Sequence, residues 1–298
     1  IMSNRNIKKT AYAKKRPRFL VKVLLLLTIL GIWSLVLLGI CVFWLGYDLP
    51  DLNELQNLTR QPGITILDKD GQPIATRGDI FGQAVRAKAL PVYVSQAILA
   101  IEDRRFFHHY GIDPWGILRA AYSNFRAGRV VQGGSTLTQQ LAKNFLLSQN
   151  KYKAQDRSLK RKAQELILAL WIEKTFTKEQ ILDIYMSRAY FGSGVFGIQA
   201  ASRKFFHKNT KSLTLMEAAI LAGLLKAPTT YSPLHHPQKA HNRAKIVLKA
   251  MLESGYITEK ELQKKEFTYE KPSHDITISA GYFVDWVLEQ LPYLVKNL

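Results

Sequence analysis

The feature that most constrains this chain is an uncharged apolar run from Val23 to Leu45. Its sequence, VLLLLTILGIWSLVLLGICVFWL, has 23 residues and contains no Asp, Glu, Lys or Arg. At about 1.5 Å per residue, a helix of this length spans roughly 35 Å, which is enough to cross a bilayer. A cleaved signal peptide would have a shorter apolar core and a small-residue cleavage site, and no such site follows. The run therefore predicts one retained transmembrane helix over residues 23–45.

The charges on either side of this run predict its orientation. Eight Lys and Arg residues precede it, and the first acidic residue, Asp48, comes only after it. Because basic flanks stay in the cytoplasm, residues 1–22 are predicted to be a cytoplasmic tail. After a connector over residues 46–61, the body of the chain is then expected in the periplasm or outside the cell. The only cysteine, Cys41, lies within the apolar run, so the exported body has no disulfide.

The net charge favours a membrane partner over nucleic acid. The chain has 42 Lys and Arg residues against 23 Asp and Glu residues. A basic exported body that is tied to an anionic bilayer is expected to lie close to that surface. Nucleic acid is the other common partner of such a charge, but the predicted orientation argues against it.

The body is predicted to be mainly α-helical with a minor β element. Asp70-Gly71 between two β-rich segments indicates a hairpin, and helical periodicity extends from residue 91 to about residue 226. Capping-box patterns, in which Gln or Glu follows a threonine by three residues, begin at Thr177, Thr214 and Thr258. Residues 263–298 return to β character before a short helix. We therefore expect the two ends of the body to make the β element.

The densest cluster of reactive side chains is IEDRRFFHHYGID, residues 101–113. On a continuous helix, Glu102, Phe106 and His109 would share one face. A carboxylate beside an aromatic ring and an imidazole is typical of a tuned acid or base, because burial raises its pKa. The pattern also fits a helix end whose acids pair with the neighbouring arginines. A metal site is rejected, because the adjacent histidines point to different faces and no second ligand pair stands at the required spacing.

A glycine-led polar segment, QGGSTLTQQLAKN, occupies residues 132–144. Free N–H groups at a helix N-terminus favour anions, and Lys143 adds a positive charge. From Thr136, helical spacing places Gln140 and Lys143 on one polar stripe. The pattern fits a groove for a phosphorylated, hydroxyl-rich ligand, and it fits equally well an ordinary glycine-opened helix with a solvated face.

A third segment, RKAQELILALWIE at residues 161–173, places an acid at the edge of a buried helix. Residues 166–172 are apolar on nearly all sides, which predicts burial. Glu165 stands where that apolar part begins, and Arg161 and Lys162 precede it by one helical turn. A carboxylate that enters a core beside two cations is either a paired structural acid or part of a site.

In this order and spacing, the three stretches resemble the signature motifs of the peptidoglycan glycosyltransferases. These are the transglycosylase domains of class A penicillin-binding proteins and of their monofunctional relatives. The first, second and third motifs correspond to residues 102–111, 133–144 and 161–165. Residues 181–192 and 213–228 resemble the fourth and fifth motifs. Five motifs in the family's order make the resemblance specific.

The resemblance implies a mainly α, lysozyme-like glycosyltransferase domain over residues 62–262, with a smaller membrane-proximal lobe. Residues 263–298 would then begin a linker toward a transpeptidase domain, as in a truncated bifunctional enzyme. The implied substrate is lipid II, a disaccharide-pentapeptide on a polyprenyl pyrophosphate. The implied reaction polymerises it into β-1,4 glycan strands, with inversion and release of polyprenyl pyrophosphate.

The resemblance also implies roles for individual residues. Glu102 corresponds to the catalytic base that takes the proton from the acceptor 4-hydroxyl, and Glu165 to a second acidic residue near the donor. The implied substrate-binding residues are Asp103, Phe106, His109, Gly134, Ser135, Thr136, Gln140, Lys143, Asn144, Arg161 and Lys162. Of these, Lys143, Arg161 and Lys162 would face the pyrophosphate.

The expected partners are lipid II, the growing glycan strand, the bacterial inner (cytoplasmic) membrane and other cell-wall synthesis proteins. No metal ligand and no required cofactor are expected, and assistance of the pyrophosphate by Mg²⁺ or Mn²⁺ stays open. Two other functions also stay open. One is a lysozyme-like enzyme that cleaves glycan, and the other is an inactive membrane-anchored scaffold that binds glycan strands.

Overall fold

The computed structural model describes residues 18–56, 64–67, 69, 73–77, 80–130, 132–153, 155–263, 286 and 290. The chain forms two units, residues 1–48 and residues 49–298. Most of the predicted cytoplasmic tail and most of the predicted linker over residues 263–298 lie outside the described residues.

The first unit contains one long apolar helix, α1 (Arg18–Tyr47), of 30 residues. Its segment Val21–Tyr47 is long and apolar enough to cross a membrane. Its large apolar side chains from Val21 to Trp44 are exposed. A helix that is apolar all round and has no protein cover is typical of a lipid environment. The predicted N-terminal apolar helix is confirmed, and it extends beyond residues 23–45 at both ends.

The second unit is mainly helical, which confirms the predicted fold class. Its helices are α2 (Asn53–Gln56), α3 (Val92–Glu102), α4 (Pro114–Ala127), α5 (Leu137–Ser148), α6 (Leu159–Thr175), α7 (Lys178–Arg188), α8 (Ile198–Phe206), α9 (Leu215–Leu224), α10 (Pro237–Glu253) and α11 (Glu259–Gln263). Helix α9 is buried along most of its length because its sequence, LMEAAILAGL, is apolar on nearly every side. Helices α3 and α10 pack against α9, and α5 packs against α6.

The helix ends follow the predicted local signals. At Thr177 and Thr214, the hydroxyl accepts from the backbone N–H three residues later, and the side chain of that residue accepts in return. Thr258 and Glu261 make the same reciprocal pair. All three predicted capping boxes are therefore confirmed. Each satisfies two N–H groups that a helix start would otherwise leave free.

The strands are β1 (Ile64–Leu67), β2 (Pro73–Arg77), β3 (Ile80–Phe81), β4 (Tyr190–Gly192) and β5 (Val195–Phe196). Strands β1 and β2 pair antiparallel, with Ile64 opposite Arg77, which confirms the hairpin predicted around Asp70-Gly71. In a second sheet, β5 lies between β3, to which it is parallel, and β4, to which it is antiparallel.

The second sheet contains strands that the sequence does not predict. The described partner of β3 is an internal hairpin, residues 190–196, within the region read as helical. Gly192, Ser193 and Gly194 have φ angles of 96°, 52° and 72°, and this left-handed backbone reverses the chain in a tight turn. The β character predicted near the C-terminus lies outside the described residues.

Candidate active site

The first motif does not continue as a helix, so the one-face arrangement predicted within residues 101–113 is wrong. Helix α3 ends at Glu102, and Asp103 leaves the helical backbone with φ −157° and ψ 81°. A short 3₁₀ turn, Phe106–His108, follows. The Asp103 carboxylate accepts a 2.9 Å hydrogen bond from the backbone N–H of Leu137, at the start of α5. A helix N-terminus has free N–H groups and attracts negative charge, which explains why the chain turns toward it here.

Glu102 is joined to the core by a chain of two hydrogen bonds. Gln140 Nε2 donates to Glu102 Oε2 at 2.7 Å, and the Tyr185 hydroxyl donates to Gln140 Oε1 at 3.0 Å. Burial, followed by the negative charges of Glu102 and Asp103, raises the pKa of Tyr185 well above its usual value. The hydroxyl therefore stays protonated and donates. It holds the amide oxygen of Gln140 and directs the amide nitrogen to the carboxylate.

The surroundings of Glu102 favour its protonated form more than water does. Burial raises the pKa of Glu102 above its usual value, and the charge of Asp103 acts in the same direction. The hydrogen bond from Gln140 and the charges of Arg243 and Lys226 lower it, but burial outweighs them. A carboxylate with a raised pKa is a stronger base than an ordinary glutamate, which suits it to accept a proton.

Three residues predicted to bind substrate fasten the first motif to the second. His109 Nε2 lies 3.1 Å from both carboxylate oxygens of Asp103. The Thr136 hydroxyl donates to the carbonyl of Gly111 at 2.6 Å and accepts from the N–H of Gln139 at 3.2 Å. Asp103, His109 and Thr136 are all buried. Their polar groups hold the loop after Glu102 against the N-terminus of α5.

The ring of Phe106 is buried and packs against the lysine of an ion pair. Lys178 Nζ lies 4.4 Å from the centre of the Phe106 ring and 2.7 Å from a carboxylate oxygen of Glu173. The Thr138 hydroxyl donates to the same oxygen. The ring therefore rests on a cation whose charge is compensated, which fixes its position by packing and by cation–π attraction.

Glu165 lies between two cations of its own helix. Arg161 Nε is 3.3 Å from Glu165 Oε1, and Lys162 Nζ is 3.2 Å from Oε2. The exposed fraction of the side chain is 3% for Glu165, 12% for Arg161 and 49% for Lys162. Lys162 also donates to the Ser135 hydroxyl at 3.0 Å, which links the third motif to the second. Spacings of three and four residues bring these charges together on α6.

Helix α5 and the segment before it carry the remaining residues predicted for the site. Lys143 follows Gln140 by three residues, so the two side chains leave the same side of the helix. Lys143 and Asn144 are half-buried, and neither side chain is hydrogen-bonded to another residue that the structure describes. A Cβ on Gly134 would lie 3.3 Å from Ile117, so glycine permits the close approach of this segment to α4.

The two acid systems meet at one segment, residues 135–140. Ser135 contacts the cation beside Glu165, and Gln140 contacts Glu102. The second motif thus joins a carboxylate with a neutral hydrogen-bond partner to a carboxylate with two cationic partners. Within the described parts of the chain, no group of three or more His, Cys, Asp or Glu residues could hold a metal ion.

Sequence reasoning missed several residues that support this site. Tyr185 was part of the fourth motif, but its bond to Gln140 was not foreseen, and neither was the pair of Glu173 and Lys178. Arg243, on α10, was not considered at all. The signal was present in each case as a polar side chain on a mostly buried helix face. Arg243, for example, precedes buried Val247 by four residues.

Comparison with known proteins identifies a consistent set of relatives. The sequence model of the family described as Transglycosylase matches residues 70–252. Penicillin-binding protein 1A of Aquifex aeolicus is 42% identical over 268 residues, which cover 88% of this chain and 36% of that protein. Penicillin-binding protein 1F of Bacillus subtilis is 39% identical over 249 residues, which cover 83% of this chain and 33% of that protein. The chain therefore spans about a third of the length of these relatives.

Solved structures also match, and one of them is that of a penicillin-binding protein. The crystal structure of Penicillin-Binding Protein 1A from Haemophilus influenzae aligns with 78% of this chain and 24% of that chain. The TM-score is 0.47 and the sequence identity is 21%.

Proposed function

We propose a reaction for this site on the premise that the chain belongs to the transglycosylase family and carries a peptidoglycan glycosyltransferase domain. The proposed substrate is lipid II. The 4-hydroxyl of the acceptor attacks the anomeric carbon of a donor that carries a polyprenyl pyrophosphate. A β-1,4 bond forms, the bond to the pyrophosphate breaks, and the anomeric centre is inverted, as in a direct displacement.

The observation that carries this proposal is the environment of Glu102. A sugar hydroxyl is a poor nucleophile, so its proton must be removed as the new bond forms. The Glu102 carboxylate is partly buried, has a raised pKa and is oriented by Gln140. Those properties suit a general base. We propose that Glu102 accepts the proton of the acceptor hydroxyl.

The cations of the second and third motifs support the donor half of the proposal. Pyrophosphate is a good leaving group, so the donor needs compensation of negative charge more than it needs a strong acid. Preorganised cations provide that compensation where charge develops. Lys143 has no partner among the described residues, and half of the Lys162 side chain is exposed. We propose that both bind the pyrophosphate, together with Arg161, and that Glu165 holds Arg161 and Lys162 in place.

The surface of the body supports a lipid-linked substrate. On α4, one face carries exposed apolar side chains at helical spacing: Trp115, Leu118, Tyr122 and Phe125. With the apolar helix α1, this face favours a protein that works at a bilayer. We propose the bacterial cytoplasmic membrane, with the N-terminus in the cytoplasm and the body outside it. The growing glycan strand and other cell-wall synthesis proteins are the further partners that we propose.

We propose that the reaction requires no cofactor and that a divalent cation at most assists the pyrophosphate. The side-chain cations already supply positive charge where the leaving group is expected. Polymerisation in the presence of EDTA measures this directly. A rate reduced less than about tenfold is expected, and complete loss that Mg²⁺ restores would contradict the proposal.

Incubation of the purified full chain with labelled lipid II in detergent tests the function. Growth of glycan polymer, with release of polyprenyl pyrophosphate, is the expected result. Shortening of preformed strands would instead indicate a glycan-cleaving enzyme. Binding of lipid II or glycan without turnover would indicate a scaffold. Either of the last two results, obtained with folded protein, contradicts the proposed polymerisation.

A further inference from the structure

Arg243 is a buried cation that the proposed reaction has not used. It lies on α10, beyond the stretches that resemble the family's five motifs. The residue is 9% exposed, and its Nε has no hydrogen-bond partner in the described parts of the chain. Burying a guanidinium is costly unless a nearby group compensates for the lost hydration. The position of Arg243 therefore needs an explanation.

Two neighbours determine where the Arg243 side chain lies. Helix α10 packs against α9, where a Cβ on Gly223 would lie 2.9 Å from Arg243 Cγ. The missing side chain of Gly223 thus leaves room for the arginine stem. At the other end, the guanidinium carbon lies 5.8 Å from the centre of the Tyr231 ring, within the range of cation–π attraction. Both ends of the side chain are therefore held.

The carboxylate of Glu102 lies at the end of α3, against which α10 also packs, and its negative charge favours the charged form of Arg243. The polar and charged groups that act on Glu102 come from five parts of the fold: Asp103 beside it, Gln140 on α5, Tyr185 on α7, Lys226 after α9 and Arg243 on α10. Of the two cations in this set, Lys226 is exposed and Arg243 is buried. Solvent and salt screen an exposed charge much more than a buried one.

The electrostatic effect is mutual. Burial lowers the pKa of Arg243, whereas the charge of Glu102 acts to raise it. In return, the Arg243 charge lowers the pKa of Glu102 and so opposes the effect of burial on that carboxylate. A general base must be ionised before the reaction, and desolvation alone favours its protonated form.

We propose that Arg243 is a positioning residue that, from α10, keeps Glu102 ionised and therefore ready to accept the acceptor's proton. The inference rests on the proposed function, since it assigns Arg243 a role that acts through the proposed base. Arginine suits this role better than lysine, because a planar guanidinium can stack on Tyr231 while its charge stays fixed.

The test compares initial rates of lipid II polymerisation over a range of pH for the full chain and its variants. Arg243→Met removes the charge, Arg243→Lys retains it without the planar group, and Lys249→Met removes a charge from the exposed side of the same helix. For Arg243→Met we expect the acidic limb of the profile to move to higher pH. The activity of this variant, divided by the wild-type activity at the same pH, should be roughly tenfold lower at the acidic end than on the plateau. The acidic limb of Arg243→Lys should lie between those of wild type and Arg243→Met, and the profile of Lys249→Met should match that of wild type.

A uniform loss of rate at every pH in Arg243→Met would show a structural role and overturn the inference. If Arg243→Met does not fold, Tyr231→Leu replaces it, because loss of the ring releases the guanidinium. A smaller shift of the acidic limb to higher pH is then expected, and an unshifted limb overturns the inference.

A second readout needs no turnover and separates this inference from the proposed function. The side-chain carboxyl of Glu102 is titrated by ¹³C NMR, with the Glu102→Gln spectrum for assignment. We expect a higher midpoint in Arg243→Met than in wild type, and an equal midpoint overturns the inference. If the midpoint rises but wild-type protein forms no polymer, the proposed function fails while the electrostatic link between the two residues stands.

Discussion

Glu102 and Glu165 are two carboxylates of one candidate site, and their partners differ in kind. Glu102 accepts from the neutral amide of Gln140, and its described cationic neighbours act on it without an ion pair at contact distance. Glu165 lies within 3.3 Å of Arg161 and 3.2 Å of Lys162. The same side-chain type thus occurs once with a neutral partner and once between two cations.

This contrast indicates different work for the two acids. A carboxylate that is buried beside a neutral donor gains little from staying negative, so it can take up a proton. A carboxylate between two cations attracts both of them and orders their side chains. These environments support the proposal that Glu102 transfers the proton and that Glu165 organises the donor cations, as in other enzymes with two carboxylates of unequal role.

The largest effect is expected from Glu102→Gln, which keeps the shape and the bond from Gln140 but removes the base. Polymerisation should fall by about 10²–10⁴-fold. Because burial raises the pKa of Glu102, the folded protein loses stability as pH rises through that pKa and the carboxyl ionises. The side-chain amide of Glu102→Gln does not ionise, so the variant does not lose stability in this way. The melting temperature at neutral pH should therefore be equal to or above that of wild type.

Glu253→Gln is the matched control for this variant, since Glu253 pairs with Arg104 at the surface. It should leave both rate and melting temperature close to wild type. Wild-type polymer yield from Glu102→Gln would contradict the assignment of the base.

The next largest effect is expected from Glu165→Gln, and here stability should change. The amide leaves Arg161 buried beside a neutral group, which should cost about 2 kcal/mol of unfolding free energy. The half-exposed Lys162 should add little. Denaturant unfolding measures the loss, and donor KM should rise. If Glu165→Gln were as stable as wild type and lost turnover as Glu102→Gln does, the two acids would not differ in the way described.

A smaller effect is expected from Lys143→Ala, which tests the donor side without touching either acid. Loss of one charge-assisted contact should raise donor KM roughly tenfold and change the maximal rate less. Lys249→Ala, an equal change on the exposed side of α10, is the control and should change neither. Unaltered donor kinetics in Lys143→Ala would count against pyrophosphate binding by this residue.

The smallest effect is expected from Tyr185→Phe, which acts on Glu102 through Gln140. Without the hydroxyl, the Gln140 oxygen loses its donor, and the amide is no longer held with its nitrogen toward the carboxylate. A loss of about 1 kcal/mol in stability and a few-fold loss of rate are expected. A rate equal to that of wild type would show that Gln140 is oriented by other contacts.

Local features of the site were accessible from the sequence. The capping boxes and the pairing of Glu165 with Arg161 and Lys162 depend on residues three or four apart, so helical spacing alone predicts them. The apolar helix and the mainly helical body follow from hydrophobic pattern. The five ordered motifs of the resemblance indicate the family whose sequence model matches residues 70–252.

Features that depend on distant contacts were not accessible. Helix α3 ends at Glu102 because Asp103 bonds to the N–H of Leu137, 34 residues later, and a helical-wheel argument takes no account of such a bond. Likewise, Arg243 acts electrostatically on Glu102 because α10 packs on α3 and Gly223 leaves space for the arginine stem. The internal hairpin after Tyr190 depends on positive φ angles, one of them at a serine.

The most direct test of the contrast is the pH dependence of kcat/KM for lipid II polymerisation by wild type, Glu102→Gln and Glu165→Gln. For wild type, the account predicts an acidic limb whose midpoint lies above the usual glutamate pKa, since burial raises the pKa of Glu102. The limb should persist in Glu165→Gln and disappear from the residual activity of Glu102→Gln. A limb that persists in Glu102→Gln and disappears in Glu165→Gln would contradict the assignment of the base.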